Sequence, residues 1–534
     1  MNLVLDLVGY VDADDLASRF AVEPAAGEGA FLLPMVRRLV ASCARHGRPI
    51  EDAASALRAY ELSDESAAVA RTAIAAELVR LGVQDGLATA LACGWITVGD
   101  YLLNWTHDPA ADFVIGNPPY IRLEDVPEPT MALYRRMYRT MIGRADIYVA
   151  FFEAALRSLT PNGTCGFVCA DRWMLNHYGT ELRRFVSQGF GVEAVIEMHR
   201  ADAFDSQVSA YPAVSIIRKA AQGSALVASA GADAGGDGPA NLASALQQAT
   251  SATSAWTMPR GFRATRVDGW FDPGEPWPCV SPDRLTLLKR LESQFHPLED
   301  PTNSTRVGIG VATGADKVFV TREAEAVEPS RLLPLALASD TRDGTLRWSG
   351  HHLVNPWECD GRLVDLAAYP RLREYLGAHR QTLRRRHIAV RRPEAWYRTI
   401  DAVHHNLTGR AKLYFPDIKG VIHPVLDNGA TYPHHNLYYV QSDGWDIEIL
   451  GGLLLSSVAQ FFVECYAVRM RGGWLRFQAQ YLRRIRIPNP SDIPTTLGEQ
   501  LRSAFRARDV ALANKAAFEL YGIRDIPRED DHGS

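Results

Sequence analysis

The chain has 534 residues, 47% apolar and 22% charged, which suits a globular protein of two or more domains and excludes a disordered or fibrous one. Its net charge of −5 gives no overall pull toward nucleic acid, so any such affinity must come from local basic tracts. The seven cysteines are scattered, which argues against a disulfide scaffold and for a reducing cytoplasm.

Residues 2–10 read as the tail of an amphipathic helix and residues 12–15 as a turn. No basic stretch followed by an apolar core opens the chain, and no long apolar run predicts a membrane span or membrane partner. The first informative stretch is residues 20–32, where a short strand ends at Glu23. A small-residue loop with Ala25, Gly27 and Gly29 follows, and a helix begins near Ala30, with Phe31 in its first turn. Glycines let the backbone approach a ligand, and a helix N-terminus adds partial positive charge. Residues 57–62 form a second strand ending at Glu61, before an alanine-rich helix over 64–81. A carboxylate in that place can take both hydroxyls of a ribose. Residues 95–101 read as a third strand ending in an acid, Asp100.

The fourth strand, Phe113 to Ile115, is stopped by Asn117-Pro118-Pro119, because neither proline can donate to a sheet ladder. Four strands tipped by Glu23, Glu61, Asp100 and Asn117 give an α/β doubly wound sheet with an adenosine-containing cofactor at its carboxyl edge. An amino group conjugated with a ring is a poor nucleophile, since its lone pair is delocalised. The Asn117 side-chain oxygen and the Pro118 carbonyl can both accept its hydrogens, and two prolines hold these acceptors still. Tyr120 offers a flat face on which a planar base can stack.

Residues 121–145 carry five arginines with Tyr134 and Tyr138, either a solvated helix or a loop beside a nucleic-acid backbone. A helix opens after Asp146, its expected N-cap. Thr160-Pro161-Asn162-Gly163 reads as a turn, and residues 166–170, 192–198 and 213–218 read as strands. Cys165 and Cys169 lie in the first of these apolar runs as buried thiols. Residues 220–256 are rich in Ala, Gly and Ser and read as a flexible linker or long loop. In the glycine-rich stretch 307–319 no Gly-Lys-Ser/Thr follows, so it is not a P-loop. Arg384 to Arg386, Arg391, Arg392, Arg398, Arg410, Lys412 and Lys419 enclose Trp396 and Tyr397. Arg469, Arg471, Arg476, Arg483, Arg484 and Arg486 accompany Trp474 and Phe477. Two basic tracts interleaved with aromatics favour a DNA cleft. Asp427-Asn428-Gly429 marks a hairpin.

The glycine loop followed by Asn117-Pro118-Pro119-Tyr120 resembles the gamma-class N6-adenine DNA methyltransferases of restriction–modification systems, the TaqI-like group. Matching motifs run over 21–219, and a looser likeness to the family's specificity domain runs over 307–490. The resemblance implies a Rossmann-like methyltransferase sheet with a C-terminal α+β target-recognition domain, acting on double-stranded DNA with S-adenosylmethionine. Glu23, Ala25, Gly27, Gly29 and Phe31 would line the methionine side of the cofactor, and Glu61 would hold its ribose. Asp100 would bind its adenine amino group, with Leu62 and Tyr101 against the ring. Asn117, Pro118 and Pro119 would grip the target amino nitrogen while Tyr120 and Phe204 hold the flipped base.

The expected domains are a catalytic one at 1–219, the linker at 220–256, a target-recognition domain at 257–494, and a helix with a polar tail at 495–534. The family usually carries a Thr-Pro-Pro-like stretch before the glycine loop, absent from the roughly twenty residues that precede it here. Either the start lies upstream, or the pocket is partly open, or a partner completes it. Pro416-Asp417 lacks a following acid-x-Lys, so modification without cleavage is expected, alongside a separate restriction endonuclease or defence-system subunit. No metal is expected. The Asn-Pro-Pro-Tyr corner also suits RNA or a protein glutamine, and a non-catalytic DNA-binding or assembly subunit is a third reading.

Overall fold

Residues 1–122, 125–198, 212–230, 262–467 and 474–527 are described by the computed structural model. They fall into two units, Met1–Leu285 and Thr286 onward. The expected Phe204, Arg469 and Arg471, most of the expected linker and the end of the polar tail lie outside the described residues.

In the first unit one sheet contains β1 (Ala21–Glu23), β2 (Leu57–Glu61), β3 (Ile96–Val98), β4 (Ala111–Gly116), β5 (Leu159–Ala170), β6 (Gly191–Glu197), β7 (Pro212–Arg218), β8 (Ala225–Ala230) and β9 (Phe262–Val267). The strand order is β3-β2-β1-β4-β5-β7-β6-β8-β9. Strands β3 through β5 pair in parallel, and β7 is antiparallel to both its neighbours. The chain runs outward from β1 to β3 and returns to β4 on the other side of β1. That reversal makes a switch point between β1 and β4, where such sheets open a crevice at their carboxyl ends.

Both faces of the sheet are covered. On one lie α1 (Asn2–Val8), α2 (Leu32–Arg45), α3 (Asp64–Arg80) and α4 (Asp85–Trp95). On the other lie α5 (Glu128–Met137) and α6 (Tyr148–Ser158). Helix α3 starts where the sequence says it should, with the Ser63 hydroxyl accepting from Ser66 N at 3.2 Å and two acids in the first turn. Its Ala70 sets the distance to the glycine loop, since a Cβ on Gly29 would lie 3.6 Å away. Helix α1 rests on β5 because Gly166 has no side chain: a Cβ there would lie 2.3 Å from Val8.

Several expectations are corrected. Trp95 ends α4 and is buried, so the third strand starts at Ile96, and Tyr101 opens a short helix. The cap of α6 is Ile147, not Asp146, with no side-chain cap bond. Residues 160–163 are not a free turn but an irregular part of β5, where the register against β4 shifts and Asn162 takes φ 66°. Residues 225–230, expected within the linker, form β8, buried between β6 and β9. Small residues suffice there because neighbouring strands supply the ladder on both sides.

The second unit is α+β. Thr305–Ile309, Leu437–Ser442, Lys412–Pro416 and Val425–Asp427 form an antiparallel sheet in that order. A second sheet orders Val320–Thr321, His352–Val354, Leu332–Ala336 and Tyr432–Pro433. The Asp427-Asn428-Gly429 turn is present, with Gly429 at φ 91°, but the strands it joins belong to different sheets, so it is not a hairpin. The expected C-terminal helix is two, Thr495–Ala507 and Val510–Tyr521. Arg508 breaks the run in the left-handed region, and Asp509 caps the second helix by accepting from Leu512 N at 3.0 Å. Among the described residues no single helix is long and apolar enough to cross a membrane; the apolar pair Ile447–Leu454 and Ser457–Tyr466 is bent by 62°.

Candidate active site

The switch point gathers the strand ends. Glu23 is the last residue of β1 and Glu61 the last of β2. Asp100 stands just after β3, and Asn117 just after β4. The β1 and β4 ends touch closely, because a Cβ on Gly116 would come within 3.2 Å of the Pro24 ring and 3.5 Å of the Glu23 side chain. Glycine at 116 therefore sets how near Asn117 comes to Glu23.

The loop after β1 turns on two glycines in the left-handed region, Gly27 at φ 54° and Gly29 at φ 96°. Glu61 locks it: Oε2 accepts from Gly27 N at 2.8 Å, and Oε1 accepts from Ser63 N at 2.8 Å. Each Glu61 oxygen keeps a further lone pair for a ligand hydroxyl. Ala25 is half-buried beside this loop, but Phe31 is only 6% exposed and belongs to the core beneath it.

Asp100 is engaged from two sides. Its Oδ1 accepts from Leu102 N at 2.9 Å, and its Oδ2 accepts from the Tyr134 hydroxyl at 2.5 Å. Leu62 is 72% exposed at the same edge. Tyr101, expected beside it, is turned inward: it is 2% exposed and stacks on Phe151 at 5.7 Å. The helical turn that begins at Tyr101 carries its ring into the core against Phe151, not alongside the exposed Leu62.

Two polar atoms at this edge are buried without any partner among the described residues, Glu23 Oε2 and Asn117 Oδ1. Glu23 is 1% exposed. Burial, and then the neighbouring Glu61 carboxylate, push its carboxyl well above the usual glutamate range. Pro118 is buried, and Pro119 and Tyr120 are half-buried. The Tyr120 hydroxyl donates to the Val168 carbonyl at 3.4 Å, which fixes the ring, and burial raises its phenol.

Tyr134 was misjudged by sequence. It is 4% exposed, within α5. The signal was legible: Met131, Tyr134 and Tyr138 recur at helical spacing, and all three are buried.

The basic tracts of the second unit divide. Lys412 is wholly enclosed with Asp427, its Nζ 2.5 Å from Oδ2. Arg386 donates to the carbonyls of Thr313, Trp396 and Arg398. Arg476 pairs with Asp417, Arg483 with Glu299 and Arg410 with Asp443. Lys412 and Arg386 hold the fold, whereas the other three are ion pairs at partly or wholly exposed positions. Arg384, Arg385, Arg391 and Arg392 are exposed.

Residues 97–204 match the Eco57I restriction-modification methylase family. Over 528 residues the chain is 44% identical to the type II methyltransferase M.PaeR7I of Pseudomonas aeruginosa, covering 98% of this chain and 90% of that one. It is 41% identical over 534 residues to the type II methyltransferase M.XhoI of Xanthomonas vasicola, covering 99% of this chain and 96% of that one. The type IIL restriction-modification enzyme MmeI, solved in complex with DNA, shares the fold with a TM-score of 0.57 at 12% identity, over 99% of this chain and 73% of that one.

Proposed function

This chain belongs to the type II methyltransferases of restriction–modification systems, and we propose that it methylates the N6 amino group of an adenine flipped out of duplex DNA. The observation that carries the choice of an amino group as target is Asn117 Oδ1, a buried acceptor with no partner at the switch point. An orphaned acceptor costs about 1–3 kcal/mol, and a ligand donor removes that cost. The residues also fit S-adenosylmethionine. Glu23 offers an unpaired carboxyl oxygen beside a glycine cradle, Glu61 keeps lone pairs for a ribose, and Leu62 offers an exposed apolar face.

When bound, S-adenosylmethionine supplies a methyl group already activated by its sulfonium charge. The protein's work is then alignment. Asn117 Oδ1 and the Pro118 carbonyl accept the two hydrogens of the target amino group and draw its lone pair out of conjugation with the ring. Pro118 and Pro119 fix those acceptors, so little reorganisation accompanies transfer. Tyr120, tethered through its hydroxyl to Val168, presents its ring to the base. Neither acceptor is a strong base, so the displaced proton passes to solvent after the methyl has moved. In this reading the second unit positions the duplex through exposed arginines such as Arg384, Arg385, Arg391 and Arg392, and a separate nuclease performs any cleavage.

The test is to express the chain in cells that lack adenine methylation and digest their DNA to nucleosides for mass spectrometry. N6-methyladenine at one recurring sequence is expected. A methylated cytosine instead, or no modified base, overturns the proposal.

A further inference from the structure

We infer that the second unit binds a divalent transition-metal ion of the zinc class through Asp316, His434 and His435. Asp316 Oδ2 lies 3.2 Å from His434 Nε2, and His435 Nδ1 lies 3.1 Å from that same nitrogen. All three donor atoms lie within 4.8 Å of one another. Tetrahedral zinc with bonds of about 2.0–2.2 Å sets its donors about 3.3–3.5 Å apart. Two edges of the triangle are thus within a few tenths of an ångström of what the ion needs, and closing the third completes one face of a tetrahedron.

Hydrogen bonding alone serves this cluster poorly. If His434 Nε2 carries its proton, one N–H is shared between a carboxylate and a second imidazole. If it does not, His435 can donate to it, but the Asp316 carboxylate then faces a bare lone pair. A cation among the three accepts every lone pair at once. His434 Nδ1 has no partner in any of these arrangements and does not choose between them. Asp316 is prepared for the task, since the Thr313 hydroxyl donates to its Oδ1 and leaves Oδ2 turned to the histidines.

The backbone holds the ligands in advance of the ion. His434 N donates to the Ala336 carbonyl at 3.0 Å, and His435 N donates to the Val311 carbonyl at 3.0 Å. Val311 N donates back to the Pro433 carbonyl at 2.9 Å. Gly310 makes this closeness possible, because a Cβ there would lie 2.2 Å from the His434 carbonyl oxygen. The glycine-rich stretch that is not a P-loop thus acquires a role, since it carries Asp316 and lies against the histidine pair. Two imidazoles and one carboxylate favour zinc-class ions over calcium or magnesium, which prefer all-oxygen sites. Water completes the fourth position, and the ion clasps the 310–316 segment to the 434–435 turn.

The full chain, stripped with chelator and dialysed, is titrated with Zn²⁺ by calorimetry and with Co²⁺ by visible absorption. One equivalent per chain is expected, with a low-symmetry cobalt spectrum and a zinc-dependent rise in melting temperature. His435→Ala and Asp316→Asn alter exposed side chains and should melt like the parent without metal. Each should weaken zinc binding roughly tenfold or more and abolish its thermal effect. Absence of stoichiometric binding by the parent overturns the site. So does equal binding by parent and both variants, which would place the ion on the free cysteines or elsewhere.

Discussion

The carboxyl edge of the first unit and the Lys412–Asp427 pair of the second treat buried polar groups in opposite ways. At the carboxyl edge of the first, Glu23 Oε2 and Asn117 Oδ1 are enclosed and unpaired. In the second, Lys412 and Asp427 are fully enclosed and bonded to each other. Lys412 Nζ also donates to the Leu407 carbonyl at 2.8 Å, and Asp427 Oδ1 accepts from Ala430 N at 3.1 Å. A satisfied charge pair belongs to the fold, whereas an unsatisfied acceptor has a use only when something else arrives. The difference also teaches caution about basic residues. Lys412 sits in a tract that looks DNA-facing in sequence, and it faces no solvent at all.

The comparison breaks most easily at Lys412. Lys412→Met leaves Asp427 charged and enclosed without its cation, held only by neutral donors such as Ala430 N, a loss of about 3–5 kcal/mol. Urea unfolding of the second unit should shift to match, while S-adenosylmethionine affinity stays unchanged; an unshifted midpoint would mean the pair contributes nothing. Asn117→Ala should do the reverse. Methyl transfer should fall about 10²–10³-fold, as for the loss of one preorganised polar group, while the melting temperature and DNA affinity stay near the parent's. If stability drops as far as activity does, Asn117 is a packing residue and the contrast between the units fails.

Much of the first unit was legible because its signals are local. Acids and an amide at strand ends, proline stops and a glycine loop are read from neighbouring residues. The signals that failed depend on distant partners. Tyr101 follows a strand-end acid and so looks cofactor-facing, but the turn begun there sends its ring to Phe151, fifty residues on. Tyr134 stands among arginines, which hid its bond to Asp100. Residues 225–230 have a linker's composition, and only the neighbours β6 and β9 make them a strand. The pairing of Asp316 with His434 joins residues 118 apart in the chain, and no spacing rule foretells it.

The smallest expected effect is a proton, and it tests whether Glu23 waits for a cation. Buried beside Glu61, Glu23 stays protonated in the ligand-free protein above the usual glutamate range. A group whose folded pKa is raised adds stability at low pH and loses it as pH climbs through the raised value. The slope is at most about 1.4 kcal/mol per pH unit for one proton. The ligand-free parent should therefore lose melting temperature relative to Glu23→Gln as pH rises from the usual carboxylate range, because the amide cannot ionise. Cofactor affinity should move the other way in the parent, rising with pH as Glu23 gives up its proton to face the ammonium of the methionine moiety, and should stay flat in Glu23→Gln. Opposite pH slopes for stability and affinity, both erased by one amide, are what a carboxyl held neutral until its ligand binds must produce. Parallel curves for parent and variant would reduce Glu23 to a core residue and leave Asn117 as the lone orphaned acceptor of the pair.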